Sequence, residues 1–139
     1  MSAVIPESHM DLVNGPVYAT FNTHMSDGSI QSTLVWFNYE DGYIWVNSKP
    51  GRVKYRNIQD NPNVSLLAVD TTNPWKYISI RGRVEDIVEE GAFEHIDALT
   101  QLYLGQPHYY GVIEPVEAKE GAVRCMYKIA IDKVMTMGE

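Results

Sequence analysis

The chain has 139 residues, of which 45% are hydrophobic and 21% charged, a composition typical of one soluble globular domain rather than of a disordered segment. The 18 acidic residues outnumber the 11 lysines and arginines, and a net charge of -7 argues against nonspecific nucleic-acid binding, because phosphate backbones repel an acidic surface. No apolar stretch approaches the ~20 residues that cross a bilayer. We therefore expect no nucleic-acid partner, no membrane partner and a single domain over 1–139.

Cysteine usage and the first residues indicate the compartment. The single cysteine, Cys125, cannot form an intramolecular disulfide, and its place in an apolar run predicts a buried strand thiol. Residues 1–10 have neither the basic nor the apolar region of a secretory signal. Together these features favour a cytoplasmic location.

Alternation of apolar and polar residues predicts a series of antiparallel strands. Two Asp-Gly pairs, Asp27-Gly28 and Asp41-Gly42, predict hairpin turns, and Gly82 predicts a bulge or a close backbone approach inside the longest strand. Strands joined in this way favour a small antiparallel barrel. The predicted strands are Val17–His24, Ile30–Tyr39, Tyr43–Ser48, Asn63–Asp70, Trp75–Val88 and Ala122–Val134.

Two helices are predicted beside these strands, after one or two helical turns around Glu7–Val13. Arg52–Asp60 follows the Pro50-Gly51 break, and Glu89–Leu104 has helical apolar spacing and ends at Gly105, a plausible C-cap. The segment Val84–Asp97 contains six acids and no lysine or arginine, which predicts a solvated strand end and helix face.

The cations cluster at the start of the first of these helices. Lys49, Arg52, Lys54 and Arg56 fall within eight residues, and no acid occurs between 42 and 59. Because a helix N-terminus presents free N–H groups and partial positive charge, this arrangement predicts a phosphate site. The alternative is a solvated helix whose cations pair with neighbouring acids, and the sequence leaves both open.

The ordered set of segments resembles one superfamily. Residues 48–58, Ser-Lys-Pro-Gly-Arg-Val-Lys-Tyr-Arg-Asn-Ile, are similar to the phosphate-binding segment of pyridoxamine 5'-phosphate oxidase-like split β-barrel flavoproteins. The hairpin over 27–37 and the runs Pro74-Trp75-Lys76-Tyr77 and Arg81-Gly82-Arg83-Val84 match the same plan, and the likeness extends from Val17 to Gly138. Within the superfamily, the chain looks most like the coenzyme F420-dependent oxidoreductases.

That resemblance implies a mainly β fold, a six-stranded antiparallel split β-barrel of the FMN-binding split barrel type with flanking helices. It also implies a homodimer with two cofactor sites at the interface and hydride transfer between reduced F420 and a small organic substrate. Arg52 and Lys54 would bind the cofactor phosphate. Arg56 and Arg81 would bind the anionic tail or the ring edge, and Lys49 would bind the tail beyond the phosphate. Trp75 and Tyr77 would come from the partner subunit. The implied cofactor-binding residues are Gln31, Ser32, Thr33, Val35, Val46, Asn47, Ser48, Arg52, Val53, Lys54, Arg56, Trp75, Tyr77 and Arg81.

Two alternatives to F420 stay open. The same fold could serve an oxidoreductase that binds FMN, or a non-catalytic module that binds flavin or haem. The end of the chain, Met135–Glu139, lacks the Arg and His with which pyridoxamine phosphate oxidases hold their substrate, so vitamin B6 oxidation is not expected.

No catalytic or metal-binding side chain is expected, because the cofactor itself would carry the hydride and the four histidines lack metal-ligand spacing. His95 is expected on the surface. His108 lies in a loop, where it could line the substrate site or only pack the loop. Trp36 and Trp45 are expected in the core or a dimer interface.

Overall fold

Seven antiparallel strands form one sheet in the computed structural model, which describes residues 3–138. The sheet order is β2-β1-β5-β6-β7-β4-β3, and every pairing within it is antiparallel. The strands are β1 (Ala19–His24), β2 (Ile30–Val35), β3 (Phe37–Glu40), β4 (Tyr43–Ser48), β5 (Asn63–Val69), β6 (Tyr77–Val88) and β7 (Cys125–Met137).

The sheet closes on itself at Trp36. Its two outermost strands, β2 and β3, are consecutive in the chain, separated only by this residue. β2 pairs with β1 and β3 pairs with β4, so the chain passes from one edge of the sheet to the other at Trp36. The single predicted strand Ile30–Tyr39 is therefore two strands, and the expected six become seven. The split barrel itself is confirmed.

Helices cover the openings between the strands. A 3-10 turn (Glu7–His9) and the short α1 (Asp11–Asn14) precede the barrel, and a second 3-10 turn (Val116–Lys119) precedes β7. The two predicted helices are confirmed with later starts, as α2 (Val53–Asp60) and α3 (Ala92–Leu104). No helix within residues 3–138 is both long and apolar enough to cross a membrane.

Glycine chemistry at two places agrees with the sequence predictions. The Asp41-Gly42 turn places both residues at positive φ, 57° and 82°, as a tight hairpin turn requires. A Cβ on Gly82 would overlap the carbonyl oxygen of Ala130, and the pairing of β6 with β7 shifts register at this point. Gly82 therefore allows the two longest strands to approach and bend.

The barrel interior is filled by the inward side of each strand. Phe21 and Tyr127 stack with ring centroids 6.2 Å apart, and Phe37, Ile44 and Ile80 are buried around them. The thiol of Cys125 is also buried, as predicted, and burial raises its pKa to about 11. The helices and the long loop before β7 pack outside this closed core, where they form a cleft with the sheet.

Candidate functional site

A cleft of about 230 Å³ opens between the β2 edge, α2, α3 and the loop that precedes β7. Its wall combines aromatic and aliphatic side chains with two cations and no acid. This local charge is opposite to the net charge of the whole chain, -7. The lining residues are Tyr18, Leu34, Val35, Trp36, Asn47, Lys54, Ile96, Leu99, Tyr109, Ile113 and Arg124.

Lys54 is a half-buried ammonium in the first turn of α2. Its Nζ donates to the hydroxyl of Thr33 at 3.2 Å, and burial, followed by repulsion from Arg52, lowers its pKa. Within residues 3–138, no acidic group lies within ion-pair distance of Arg52, Lys54 or Arg56. No side chain caps the start of α2 either. Positive charge and free backbone N–H groups therefore meet at this end of the cleft.

Lys49 differs from the other three cations of the cluster. Its Nζ lies 2.8 Å and 3.0 Å from the two carboxylate oxygens of Glu114, and the hydrogen bond from Lys49 lowers the pKa of that carboxyl. The acid is 65 residues away in sequence. Although no acid is near Lys49 in the sequence, Glu114 is next to it in the fold. Because Lys49 is already paired with this acid, it is poorly suited to bind an anionic cofactor tail.

Arg124 is the second cation of the cleft, and it was not anticipated. It is only 6% exposed, its Nε donates to Asn47 Oδ1 at 2.7 Å, and its Nη1 donates to the Tyr110 hydroxyl at 3.3 Å. Its guanidinium lies 4.7 Å from the ring centroid of Tyr109 and 3.6 Å from Glu114. The one sequence signal was an arginine within the predicted strand Ala122–Val134, between the apolar residues Val123 and Cys125.

His95 was expected on the surface, and that expectation is wrong. The side chain is half-buried between Asn38 and Asn47, with Nε2 2.7 Å from Asn38 Oδ1 and Nδ1 3.0 Å from Asn47 Nδ2. Burial lowers its pKa to about 4, with a further contribution from the charge of Arg124. His95 is therefore a neutral link in a polar chain behind the cleft.

Trp36 was expected to belong to the core or to an interface, yet it forms part of the cleft wall. Its ring stacks on Tyr103 with centroids 5.2 Å apart and meets Tyr109 edge-on at 6.4 Å. Because Trp36 is the residue at which the barrel closes, the strands on both sides of it, β2 and β3, fix its position in the cleft wall. Trp45 lies elsewhere, and its indole donates to the Glu40 carbonyl at 3.2 Å.

The predicted residues of β2 and β4 divide between the cleft and the barrel wall. Val35, Asn47 and Lys54 line the cleft, and Thr33 contacts it through Lys54. Val46 and Ser48 are buried. Gln31 accepts from the Thr23 hydroxyl at 3.2 Å, and the Ser32 hydroxyl donates to Asn22 at 2.6 Å, so both side chains contact the adjacent strand β1.

The remaining predicted residues lie outside the cleft of one chain. Arg52, Val53 and Arg56 are exposed around the start of α2. Trp75 is 77% exposed in the turn before β6, Tyr77 begins β6, and Arg81 borders a separate cavity between β1, β5 and β6. The structure thus brings Val35 of β2, Asn47 of β4 and Lys54 of α2 to one cleft and leaves the β6 residues apart.

The loop before β7 is tied to α3 by Asp97. This carboxylate accepts the backbone N–H of Tyr109 at 2.9 Å and lies 3.2 Å from His108 Nδ1. Asp97 was expected on a solvated face, but it is partly buried as the anchor of this loop. His108 is exposed and does not line the cleft.

Comparison with known proteins agrees with this architecture. The family model described as pyridoxamine 5'-phosphate oxidase matches residues 5–137, and it represents flavin-type oxidoreductases at the family level. No curated protein matches the chain. A solved structure named F420 Reductase is similar with a TM-score of 0.79 and 28% identity, over 94% of this chain and 98% of that one.

Two further structures extend the comparison. The conserved hypothetical protein Rv2991 from Mycobacterium tuberculosis has a TM-score of 0.73 and 25% identity, over 98% of this chain and 86% of that one. HupZ from Group A Streptococcus, with a TM-score of 0.64 and 19% identity over 96% of this chain and 100% of that one, shows the fold alone. With the family model matched over nearly its whole length and the split barrel present, the chain belongs to the pyridoxamine 5'-phosphate oxidase family.

Proposed function

We propose that this protein binds the deazaflavin coenzyme F420 in the cleft and transfers a hydride between its reduced form and a small organic substrate. The observation that carries the proposal is Lys54, a half-buried ammonium with no acidic partner among the described residues. A cation in this position is poorly compensated in the free chain. A phosphate at the start of α2 would supply the missing negative charge.

The surroundings of Lys54 fit an extended anionic cofactor. Arg52 and Arg56 are exposed on the same first turns of α2, where they can meet charge beyond a single phosphate. The cleft that Lys54 lines also contains aromatic side chains, against which a flat ring system can pack. When bound, F420 supplies the hydride chemistry, while the chain binds the phosphate, orients the ring system and limits access of water.

FMN is the alternative cofactor for the same cleft. It also carries a phosphate that Lys54 and the start of α2 could hold. The similarity at 28% identity to a structure named F420 Reductase, together with the exposed Arg56, which pairs with no acid within residues 3–138, supports F420 over FMN. Purified protein that is yellow from retained flavin would favour FMN instead.

We further propose a homodimer formed through the outer face of the sheet. One row of cross-strand neighbours, Leu34, Thr20, Leu67, Ser79 and Met135, points away from the core. Leu34 is 72% exposed and Met135 53% exposed, an apolar surface that a second copy would cover. Because Trp75 and Tyr77 do not line the cleft of their own chain, they could reach a cofactor only across such an interface.

Substitution of Lys54 tests the cofactor site. We expect Lys54→Ala to weaken F420 binding by roughly 10- to 100-fold, the range expected for losing a hydrogen bond to a charged group, with little change in thermal stability. Fluorescence of F420 during titration measures the affinity. Lys128→Ala is the matched control, because Lys128 is another half-buried lysine, packed on Tyr43 at 4.4 Å and outside the cleft. Equal F420 affinity in Lys54→Ala and the parent would remove this assignment.

A further inference from the structure

A chain of hydrogen bonds behind the cleft fixes the position of Arg124. Arg124 Nε can only donate, so the Asn47 atom 2.7 Å from it must be the carbonyl oxygen. The Asn47 amide nitrogen then donates to the Ala92 carbonyl at 2.8 Å and towards His95 Nδ1 at 3.0 Å. Consequently His95 carries its proton on Nε2 and donates it to Asn38 at 2.7 Å. The Nε–H of Arg124, the Asn47 amide and the His95 Nε2–H each meet an acceptor, which holds the guanidinium in one orientation.

The guanidinium keeps unused capacity to bind an anion. Nε and Nη1 have partners in Asn47 and Tyr110, and the Tyr109 hydroxyl also interacts with the guanidinium. Within residues 3–138, no carboxylate or backbone oxygen accepts a hydrogen bond from Nη2. Glu114 does not neutralise Arg124 fully, because it lies 3.6 Å away and already contacts Lys49 at 2.8 Å. Arg124 is nine-tenths buried, fixed on two sides and only partly compensated by Glu114, so it can bind an anion from the cleft that it lines.

The walls around Arg124 indicate the rest of the ligand. Tyr109 packs over the guanidinium at 4.7 Å, and Trp36 and Leu99 continue the lining as apolar surface. One guanidinium nitrogen beside aromatic and aliphatic walls suits a singly charged carboxylate, because a phosphate dianion would cost more to desolvate. Lys54 is joined to Thr33 rather than to any partner of Arg124, so the two cations can serve different groups.

We propose that Arg124 is a substrate-binding residue that holds the carboxylate of a planar aromatic or conjugated compound. The assignment rests on the proposed function in one respect, that the cofactor phosphate goes to Lys54 and leaves Arg124 for a second ligand. It defines the substrate class as flat, apolar molecules with one carboxylate.

Two probes that differ only in charge test this assignment. We expect 2-naphthoate to bind the wild-type protein without cofactor at least about tenfold more tightly than 2-naphthamide, measured by calorimetry. We expect Arg124→Met to abolish this preference. The preference should persist in Arg83→Met, a control arginine paired with Asp132 at 3.1 Å outside the cleft, and in Lys54→Ala. Equal binding of the two probes by the wild type, or an undiminished preference in Arg124→Met, overturns the proposal.

A second measurement applies if Arg124→Met does not fold. The Nε–H resonance of Arg124, identifiable through its bond to Asn47, should shift in nitrogen-15 NMR of the wild type with 2-naphthoate and not with 2-naphthamide. An unshifted resonance at saturation, or loss of the preference in Lys54→Ala, assigns the carboxylate to another cation and refutes the proposal. Because no cofactor is present, failure of F420 binding would leave these results intact, so the two proposals fail separately.

Discussion

At the residue scale, burial and neighbouring charge set the proton states around the cleft. His95 is neutral because burial, assisted by the charge of Arg124, lowers its pKa to about 4. Its Nδ1 must remain unprotonated, since it faces the amide nitrogen of Asn47 at 3.0 Å. One buried imidazole thus couples the cleft to pH through Asn47 and Arg124.

The stability of the fold should therefore decrease as His95 becomes protonated. The unfolded chain binds this proton near the ordinary histidine pKa of about 6.5, and the folded chain only near 4. The contribution is complete above about pH 6.5 and is lost as the pH falls towards 4, because the unfolded state then binds the proton first. At pH 4.5 we expect the wild type to lose about 2 kcal/mol more than His95→Gln, relative to pH 7.

Urea denaturation at the two pH values measures this difference. Carboxylates that titrate in the same range are common to both proteins, so only the difference between them reports on His95. An identical loss of stability in the wild type and His95→Gln would show that the imidazole is not held neutral by its surroundings.

At the element scale, Tyr103 of α3 stabilises the seam of the barrel, by which we mean the junction at Trp36 between the two edge strands β2 and β3. Its hydroxyl donates to the Val17 carbonyl at 2.7 Å and accepts the Phe37 backbone N–H at 3.1 Å. It thereby joins the segment before β1 to the first residue of β3, directly after Trp36. Burial raises the pKa of this phenol to about 12, so the hydroxyl remains a donor.

Tyr103→Phe should weaken this seam. The substitution keeps the ring that stacks on Trp36 at 5.2 Å and leaves a backbone donor and a backbone acceptor without this partner. We expect a loss of about 1–3 kcal/mol in the free energy of unfolding, measured by chemical denaturation. Tyr43→Phe is the control, since no hydrogen bond among the described residues uses its hydroxyl, and it should change stability by less than about 0.5 kcal/mol. Equal stability of the two variants would contradict the role of the seam.

The elements were largely predictable from sequence, whereas contacts between them were not. Period-two alternation and Asp-Gly turns predicted the strands, and the bulge at Gly82 was predicted because a glycine interrupts a long strand. The split at Trp36 escaped prediction, since apolar alternation continues through it while the hydrogen-bonding partner changes from β1 to β4. A local pattern records which face a residue occupies, not which strand it meets.

The candidate site shows the same division. Lys54 and the start of α2 were predicted from a local cluster of cations after Pro50-Gly51. The Asn47–Arg124 bond joins residues 77 apart, and the pair of Lys49 with Glu114 spans 65. Neither contact produces a periodic or spacing signal in the sequence, so the part of the cleft around Arg124 could be identified only from the structure.

At the scale of the whole molecule, charge and apolar surface are segregated. The chain carries a net charge of -7, yet the residues that line the cleft include two cations and no acid. The apolar outer row of Leu34, Leu67 and Met135 lies on the sheet face away from the core. This distribution supports the homodimer and the anion-binding cleft proposed above.

A charge at the centre of the outer row should prevent association. We expect the wild type to sediment with twice the mass of one chain and Leu67→Asp to sediment as a monomer with its fold retained, because Leu67 is exposed in the single chain. Val4→Asp, an equal change at an exposed residue outside the strands, should remain dimeric. A monomeric wild type at the same concentration, or a dimeric Leu67→Asp, would rule out this interface.

The central claim concerns which cofactor the cleft takes. Titration of F420 and of FMN into the same preparation of wild-type protein tests it most directly. If Lys54 in the cleft and the exposed Arg52 and Arg56 near it on α2 serve an extended anionic deazaflavin, F420 will bind at least about tenfold more tightly than FMN, a difference of about 1.4 kcal/mol. Tight binding of FMN with no detectable binding of F420 would contradict the account.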